Sequence, residues 1–532
     1  MIITTADEIR AIEVREDEVG TKFLALMEKA GTGCAELIME TYAPEDGAVT
    51  VVCGSGKNGG DGFVIARKML RAGYDVSLVL AFGEPKAADA IENYRRATDL
   101  SIPVFSWGTE EAAEAVKTAS VLVDCMFGIG FRGAANELQS EVFSAMNEAP
   151  GDTVSIDVPS GVVTDTGEVL GTAVKAAWTI AISTLKPLHV LYPAREYCGD
   201  VRLLDIGILP ESYAVVTPQL HTLSGDEAAA LPPVRERTAH KNDAGHVLSL
   251  CGSYRMPGAA CLCAGAALRA GAGLLTAAYP GPAYPAVSSH LTEAMSLPLP
   301  AAADGTLSAD ALTALKEFLG KATVLVTGCG LGQSEDIRTV LVDLLQTFDG
   351  PVVLDADALN NLAGDLTVLK ERTAPTVLTP HPGEMARLTG TPASDIVKDR
   401  VRVAKAFADE YGVTVLLKGA DTVIASGDSE EIFVNTSGNQ GLAKGGSGDT
   451  LSGILAAFLA RGWHRRRRPP PPRTITEKRP NMPPSTRRSG AFLQWTSSRL
   501  CPPFCRKINR PKTGKRHRSR CLFFKLFGVD AL

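Results

Sequence analysis

A glycine-rich segment, GSGKNGGDG over residues 54–62, follows an apolar run and opens a helical pattern. Glycines leave backbone N–H groups accessible, and the N-terminus of a helix adds partial positive charge, so this segment suits a pyrophosphate. It is neither the G-x-G-x-x-G dinucleotide fingerprint nor a P-loop, because no Gly-Lys-Ser/Thr sequence closes it. A tight structural turn explains the same glycines equally well, so both interpretations stay open at this point.

A second glycine segment, GGSGD over residues 445–449, comes directly before a predicted amphipathic helix. The apolar residues of that helix recur at helical spacing and are Leu451, Ile454, Leu455, Phe458 and Leu459. The helix N-terminus would point backbone amides at an anion. In this position Asp449 could act as a general base. It would remove the proton from a substrate hydroxyl, and the oxygen of that hydroxyl would attack a phosphoryl group. The alternative is an ordinary N-cap aspartate.

Two series of short apolar runs must position these residues. The first series is AVTVVC (48–53), DVSLVLA (75–81), SVLVDC (120–125), DTVSIDV (152–158) and WTIAIS (178–183). The second is GHVLSLCG (245–252), TVLVTG (323–328), PVVLDAD (351–357), PTVLTPHPGE (375–384) and VTVLLKG (413–419). Runs this continuously apolar predict strands buried on both faces, and hence parallel sheets with helices on either side. In such sheets ligands bind beyond the carboxyl ends of the strands.

The same pattern divides the chain into three parts. We expect an α/β domain over residues 1–215, a second over 226–462 with 210–225 as a short linker, and a basic Pro/Arg-rich tail over 463–532. The tail has 19 Lys and Arg against two acids, so it carries +17 of a chain whose net charge is −6 and leaves −23 on the remainder. An acidic body argues against nucleic-acid binding.

The composition of the tail differs from that of the rest of the chain. Four arginines are followed by four prolines, and no helical or strand periodicity continues. We expect this segment to be disordered, and a reading-frame error explains it better than a natural basic tail. The helix that begins after Asp449 would then lack packing neighbours, a surface meant for burial would face water, and the second domain would be incomplete and marginal.

Other features exclude several classes of protein. No secretory signal is visible, and no apolar stretch reaches the ~18 residues that a membrane span needs. Eight of the eleven cysteines lie before residue 463, without a C-x-x-C pair or a His cluster at zinc spacing. We expect Cys261 and Cys263 to pack as small hydrophobic side chains. A reduced, cytoplasmic setting fits best.

Four segments of the first half match one family in order and spacing. They are MEKAG (27–31), the glycine loop (54–62), VDCMFGIG (123–130) and SIDVPSG (155–161). With them, residues 2–207 resemble the NAD(P)H-hydrate epimerases, whose Rossmann-like fold has three αβα layers. Lys57 stands where that family often has asparagine.

The resemblance implies roles for individual residues. Asp157 would move the proton while the hydroxyl-bearing C6 of hydrated NAD(P)H is inverted, although a strand-end cap is the alternative. Lys186 would stabilise charge there, or else be a solvated lysine. A potassium ion would be bound by Asn58, Asp124 and Ser160, each of which could instead make loop hydrogen bonds. The hydrated dinucleotide would contact Asp157 and two loops, Lys57, Asn58, Gly59, Gly60 and Asp61 in one and Gly128, Ile129, Gly130, Phe131, Arg132, Gly133 and Ala134 in the other.

Segments of the second half match another family. They are HK (240–241) before GHV (245–247), GS (252–253) with MPGAA (256–260), GCGLG (328–332), TPHPGE (379–384), KGADT (418–422) and the GGSGD loop. With them, residues 226–462 resemble the ribokinase-like superfamily, and within it the ADP/ATP-dependent NAD(P)H-hydrate dehydratases. Asn242 and Cys329 replace the usual Gly and Pro of that family, and we expect neither to take part in chemistry.

This resemblance implies a nucleotide-dependent dehydration. Asp449 would deprotonate the C6 hydroxyl, ADP or ATP would phosphorylate it, and elimination of phosphate would restore the nicotinamide. The hydrate would contact Gly332, His381 and Asp449, although His381 taken alone would be a satisfied loop histidine. The nucleotide would contact Lys418, Gly419, Ala420, Asp421, Thr422 and Gly448, and Mg²⁺ would come with it, held largely through phosphates and water.

Together the two resemblances predict a bifunctional enzyme that epimerises the R- and S-forms of hydrated NAD(P)H and dehydrates the S-form. The expected partners are small molecules, hydrated NADH and NADPH and an adenine nucleotide, and the enzyme could form homo-oligomers. One alternative is a ribokinase-like small-molecule kinase. The other is a nucleotide-binding protein in which only the epimerase half is active.

Overall fold

The computed structural model describes residues 1–231, 235 and 237–462. The strands are β1 (Ile2–Ile3), β2 (Val49–Cys53), β3 (Val76–Leu80), β4 (Val104–Ser106), β5 (Val121–Cys125), β6 (Asp152–Ile156), β7 (Trp178–Ile182), β8 (Asp200–Leu204), β9 (Leu220–His221), β10 (His246–Leu250), β11 (Leu274–Pro280), β12 (Met295–Leu299), β13 (Val324–Thr327), β14 (Val352–Leu354), β15 (Thr376–Leu378), β16 (Thr414–Leu417), β17 (Thr422–Ser426) and β18 (Ile432–Asn435).

The helices are α1 (Ala6–Val19), α2 (Phe23–Met39), α3 (Lys57–Arg71), α4 (Ala88–Thr98), α5 (Glu110–Thr118), α6 (Glu137–Glu148), α7 (Arg195–Cys198), α8 (Pro210–Tyr213), α9 (Gly225–Ala229), α10 (Pro257–Arg269), α11 (Tyr284–His290), α12 (Leu312–Leu319), α13 (Glu335–Thr347), α14 (Asp357–Leu362), α15 (Thr367–Glu371), α16 (Pro382–Thr389), α17 (Ala393–Lys398), α18 (Arg400–Tyr411) and α19 (Ser447–Ala460). No helix among the described residues is long and apolar enough to span a bilayer.

Seven strands of the first half form a parallel sheet in the order β4-β3-β2-β5-β6-β7-β8. Its central strands β2 and β5 are buried along their whole length. Ile38 of α2 and Phe63 of α3 belong to the core on one face, and Val116 of α5 and Phe143 of α6 belong to the core on the other. The predicted three-layer αβα arrangement is confirmed.

Eleven strands form a second sheet, in the order β1-β9-β18-β17-β16-β15-β14-β13-β10-β11-β12. The strands from β16 to β12 in this order are mutually parallel, as the continuously apolar runs predicted. β17 and β18 then continue the sheet in antiparallel pairing. Helices α12 to α18 contribute to the core on one face, while α10, α11 and α19 contribute to the core on the other.

The segment predicted to be a plain linker contains regular structure. Its strand β9 pairs with β18 on one side and with β1 on the other, so the first residues of the chain belong to the second sheet. The N-terminal amino group also donates to the carbonyl of Thr222, at 2.7 Å. A two-residue strand is too short to show periodicity, which is why the sequence pattern did not reveal this pairing.

Helix α19 packs more fully than its sequence pattern predicted. Leu455, Ala456 and Ala457 are buried, and a Cβ at Gly453 would lie 2.1 Å from the backbone oxygen of Cys263 in α10. The expectation that this helix lacks packing neighbours is therefore wrong. The predicted disordered and frame-shifted tail, residues 463–532, lies outside the described residues.

Candidate active sites

The first glycine loop connects the end of β2 to the start of α3. Its glycines are required by close approach, because a Cβ at Gly59 would lie 2.0 Å from the backbone oxygen of Gly54. Lys57 begins the helix, and its ammonium lies 4.0 Å from the centre of the Phe23 ring. The loop therefore presents the N-terminus of α3 at the carboxyl end of the parallel sheet, where the sequence predicted an anion site.

Asp157 directly follows β6 at the same end of the sheet. Its φ of +66° is rare for a residue with a side chain, and such backbone strain is concentrated at functional sites. The carboxylate accepts from the backbone N–H of Ile182, at 3.3 Å, and from the ammonium of Lys186. Asp157 is thus held in a strained conformation by neighbours that fix the direction of its carboxylate.

Lys186 is almost fully buried, with 1% of its side chain exposed, so the interpretation as a solvated lysine is wrong. Its ammonium donates to Asp157 Oδ1 and to the carbonyl of Ile182 at 2.8 Å. His189, which the sequence did not single out, accepts at Nδ1 from the Lys186 N–H, at 3.0 Å. The other ring nitrogen, Nε2, therefore donates to the Asp157 carbonyl, 2.9 Å away. Burial and the charge of Lys186 lower the pKa of His189 to about 3, so the ring is neutral.

Two more carboxyl groups share this site. Burial raises the pKa of Asp61 well above its usual value, and the negative charges of Asp157 and Glu13 raise it further. Burial also raises the pKa of Glu13, which α1 brings beside Lys57. Asp61 was predicted as a substrate contact, whereas Glu13 gave no signal in the sequence because its helix precedes the matching motifs. The site combines three carboxyl groups with two ammonium groups, an arrangement suited to proton transfer.

The three predicted potassium ligands lie close together. Ser160 Oγ donates to Asp124 Oδ1, at 2.6 Å, and Asn58 Nδ2 donates to the carbonyls of Phe127 and Ile156, at 3.0 and 3.3 Å. Asp124 also accepts from three further donors, the hydroxyl of Ser155 and the backbone N–H groups of Met126 and Ser160. The loop hydrogen bonds that formed the alternative are therefore present. Buried oxygens around a buried carboxylate also fit a hard cation.

The second predicted substrate loop, residues 128–134, follows β5. Phe131 is buried and packs edge-on against Phe127, with ring centres 5.2 Å apart. Arg132 is more exposed and lies 4.0 Å from a carboxylate oxygen of Asp165. A Cβ at Gly130 would lie 3.8 Å from Arg10 of α1. This loop and α1 therefore border the cleft that contains Asp157.

In the second half, Asp449 lies in the first turn of α19, whose N-cap Gly446 has a φ of +88°. The N-cap residue is Gly446, so the alternative interpretation of Asp449 as an N-cap aspartate is wrong. Burial, followed by electrostatic repulsion from the neighbouring Cys251 and Asp355, raises the pKa of Asp449 to about 6. A carboxylate with a pKa this close to neutrality is suited to act as a general base.

Beneath Asp449 lies a buried ion pair that the sequence did not reveal. Asp355 Oδ1 accepts from Lys418 Nζ at 2.8 Å, and Asp355 Oδ2 accepts from Ser452 Oγ at 2.7 Å. A Cβ at Gly448 would lie 3.5 Å from Asp355 Oδ2 and 3.6 Å from Lys418 Nζ. The next residue, Ala356, has a φ of +47°. Lys418 therefore places a positive charge directly behind the glycine loop, where phosphate oxygens would collect.

Gly332 follows β13 and His381 follows β15, the two strands on either side of β14 in the same sheet. His381 caps α16, because its Nδ1 accepts from the N–H groups of Gly383 and Glu384, at 3.0 and 3.3 Å. Its ring is half exposed, and Glu384 extends the ion-pair network with an oxygen 3.6 Å from Lys418 Nζ. The Gly332 N–H donates to Asp357 Oδ2, at 2.8 Å. His381 thus makes the helix-capping hydrogen bonds that the alternative interpretation of a loop histidine predicted. The exposed half of its ring still faces the cleft.

The predicted nucleotide segment, residues 418–422, turns between β16 and β17. A side chain at Gly419 would collide with Arg400, since a Cβ there would lie 2.2 Å from Arg400 Nη2. Asp421 is buried and pairs with Arg400 at 3.1 Å, and it also accepts from the N–H of Tyr192 in the first half, at 3.2 Å. The side chain of Asp421 therefore joins the two halves of the chain. Lys418 is the residue of this segment whose side chain points to Asp355 beneath Gly448.

Both halves of the chain match known families. Residues 24–188 match the family described as YjeF-related protein N-terminus, and residues 247–468 match NAD(P)H-hydrate dehydratase. The bifunctional NAD(P)H-hydrate repair enzyme of Moorella thermoacetica is 38% identical over 87% of this chain and 88% of its own length. That of Coxiella burnetii is 35% identical over 85% and 89%. A crystal structure of ADP/ATP-dependent NAD(P)H-hydrate dehydratase from Bacillus subtilis, co-crystallized with ATP/Mg²⁺, is 32% identical over 46% of this chain and 86% of that one, with a TM-score of 0.38.

Proposed function

The chain belongs to the family of bifunctional NAD(P)H-hydrate repair enzymes, and we propose that its two activities are carried separately by Asp157 and Asp449. It is an isomerase and a lyase, an NAD(P)H-hydrate epimerase joined to a dehydratase that uses ADP or ATP. The observation that carries the assignment of residues is that each aspartate lies beside a glycine loop at a helix N-terminus, in a different parallel sheet.

In the first site Asp157 is the acid and base. The substrate is a hemiaminal, because water has added to the reduced nicotinamide ring and left a hydroxyl at C6. Inversion at C6 needs reversible loss of that hydroxyl or ring opening, and a single carboxylate can deliver the proton and take it back. Lys186 donates to the Asp157 carboxylate, and neutral His189 donates to the Asp157 backbone carbonyl, so both side chains hold this residue in place. The loops 57–61 and 128–134 supply the dinucleotide contacts.

In the second site Asp449 takes the proton from the C6 hydroxyl of the S-hydrate. The freed oxygen attacks the terminal phosphoryl group of the nucleotide, and phosphate then leaves together with the proton on C5, which restores the double bond. Gly332 and His381 contact the hydrate, while Lys418 and the backbone of Gly448 neutralise the phosphates. Gly419, Ala420 and Thr422 contact the nucleotide directly, and Asp421 contributes through its backbone.

Two metal ions belong to this proposal. Asn58, Asp124 and Ser160 would hold K⁺, which would compensate the charge of the buried Asp124 carboxylate. Mg²⁺ would come with the nucleotide, held largely through phosphates and water, and would neutralise charge on the transferred phosphoryl group. The buried carboxylate beneath Gly448, that of Asp355, is paired with Lys418, which fits a magnesium ion held mainly by the nucleotide.

The relatives support this function over a ribokinase-like small-molecule kinase, and their names describe repair of NAD(P)H-hydrate. The substrates are small molecules. We place the enzyme in the cytoplasm, because the eight cysteines of the described residues are free thiols and most are buried, as expected in a reducing compartment. We also propose that it forms homo-oligomers, which the measured mass in solution would test.

The assignment is tested with two variants of the full chain. Asp157→Asn is expected to lower the interconversion of R- and S-hydrate ~100-fold or more while dehydration of pure S-hydrate continues, since acid–base groups typically contribute that much. Asp449→Asn is expected to do the reverse, so each variant controls for the folding of the other. A variant that keeps both activities within about tenfold would remove its aspartate from the proposed role.

A further inference from the structure

Three thiols from distant parts of the chain converge beneath Asp449. Cys251 directly follows β10, Cys263 lies in α10, and Cys329 comes two residues after β13. All three are fully buried, and their sulfur atoms lie within 4.8 Å of one another. No metal-site spacing is visible in the sequence, because the first thiol and the last are 78 positions apart. The fold, and not a local motif, creates this cluster.

The three sulfurs lie in the hydrophobic core on the α10 and α19 face of the sheet, and two polar side chains contact them there. Ser249 Oγ donates to Cys263 Sγ at 3.8 Å, and Cys329 Sγ donates to Asp355 Oδ2 at 3.9 Å. Cys263 packs in this hydrophobic core and Cys261 packs against it, as the sequence predicted.

The separations suit a soft metal ion. Zinc–sulfur bonds of ~2.3 Å in a tetrahedron place the sulfurs ~3.8 Å apart, so shifts of about 1 Å or less would close the cluster around one ion. Three thiols alone leave the fourth position open, and Asp355 Oδ2, which accepts from Cys329 Sγ, is a carboxylate oxygen next to it. The ammonium of Lys418, paired with Asp355, would offset part of the negative charge that three thiolates and a carboxylate bring to Zn²⁺.

We propose that Cys251, Cys263 and Cys329, completed by the carboxylate of Asp355, form a binding site for a soft divalent ion of the Zn²⁺ class. Binding releases the three thiol protons to solvent and forms three sulfur–metal bonds, with no change of oxidation state. The ion would lie directly below the glycine loop that carries Asp449. This site is distinct from the nucleotide's magnesium, because thiolates select soft ions and Mg²⁺ takes oxygen ligands.

The test is a metal titration of the full chain in which Cys501, Cys505 and Cys521 are replaced by serine, so that only cysteines of the described residues contribute. The protein is reduced, stripped of metal and titrated with Cd²⁺, whose bonds to thiolates give an ultraviolet charge-transfer band. Zn²⁺ is then measured in competition with a chromophoric chelator. We expect one ion per chain in both titrations.

Single substitutions locate the site. Cys329→Ser and Cys263→Ala are each expected to weaken Zn²⁺ binding ~100-fold or more and to reduce the cadmium–thiolate band. Cys261→Ser is the matched control, because this half-buried thiol lies in the same helix α10 outside the cluster, and it should bind like the parent. Circular dichroism of each variant reports its folding without reference to activity. Absence of a tightly bound ion in the parent would overturn the proposal, and so would folded Cys329→Ser and Cys263→Ala variants that bind like Cys261→Ser.

Discussion

The contact between Lys186 and Asp157 gives the sharpest prediction about the first site. Lys186→Met removes an ammonium of which 1% is exposed and leaves the Asp157 side chain, 15% exposed, without its cation. Breaking a buried pair by removing one partner costs ~3–5 kcal/mol, and because water reaches Asp157 we expect a value near the lower end, ~3 kcal/mol. Epimerisation should fall ~10-fold or more, since the carboxylate loses the group that directs it.

The assay is a double-mutant cycle with Lys186→Met, Asp157→Asn and the combined variant. Hydrogen exchange of peptides from β5 and β6 gives the unfolding free energy of the first sheet alone, which avoids treating a two-domain chain as one transition. The combined variant has neither charge, so it should be more stable than the sum of the single effects predicts, by ~3 kcal/mol. Lys175→Met, at an exposed lysine of the same domain, should change neither stability nor activity. A coupling free energy below ~1 kcal/mol would refute the argument that this pair is a buried, strongly interacting one.

Two further predictions concern the glycine loop and the first helix. Gly59→Ala should abolish epimerisation while dehydration of S-hydrate continues, because its Cβ would lie 2.0 Å from the Gly54 oxygen. The control is Gly56→Ala, whose Cβ meets nothing within 4 Å and which should stay active. Equal epimerase activity of the two variants would contradict the close-packing argument. Glu16→Gln should lower the free energy of unfolding by ~2 kcal/mol. The buried Glu16 carboxylate accepts from the N–H groups of Thr21 and Leu209 and from the Ser212 hydroxyl. Burial alone raises the pKa of Glu16, but these hydrogen bonds keep it low. Because the pKa of Glu16 is depressed in the folded state, its stabilisation is present above the unfolded value of 4.5 and is lost as pH falls through the folded pKa. The unfolding free energies of variant and parent, measured by chemical unfolding, should therefore converge in acid. The control Glu18→Gln, at an exposed position, should match the parent at every pH.

Local patterns predicted the parts of the sites that depend on backbone shape. Both glycine loops open helices, and glycine supplies the close approach at Gly59 and the positive φ at Gly446 that these turns require. That requirement is visible in a short stretch of sequence. The continuously apolar strands likewise predicted parallel sheets, since burial on both faces leaves no polar alternation.

Contacts between distant segments could not be predicted in this way. Lys186 lies 29 residues from Asp157, and nothing in its own surroundings distinguishes a buried partner from a solvated lysine. Asp355 and Lys418 form an ion pair although they are 63 positions apart in the sequence. They follow β14 and β16, which are not neighbours in the sheet. The side chain of Asp421 turns away to Arg400 and Tyr192 because the two halves of the chain pack there, which no local pattern records.

The most direct test of the central claim, two separate sites on one chain, starts from pure R-hydrate of NADH with ADP or ATP. Its conversion to NADH requires the first site and then the second, after subtraction of the uncatalysed rate. Asp157→Asn and Asp449→Asn should each fail to restore NADH, and a mixture of the two variants should restore it, because S-hydrate released by one is dehydrated by the other. A mixture that stays inactive although each variant keeps its own remaining activity, or an Asp157→Asn variant that converts R-hydrate at the parent's rate, would contradict the assignment of the two reactions to these two sites.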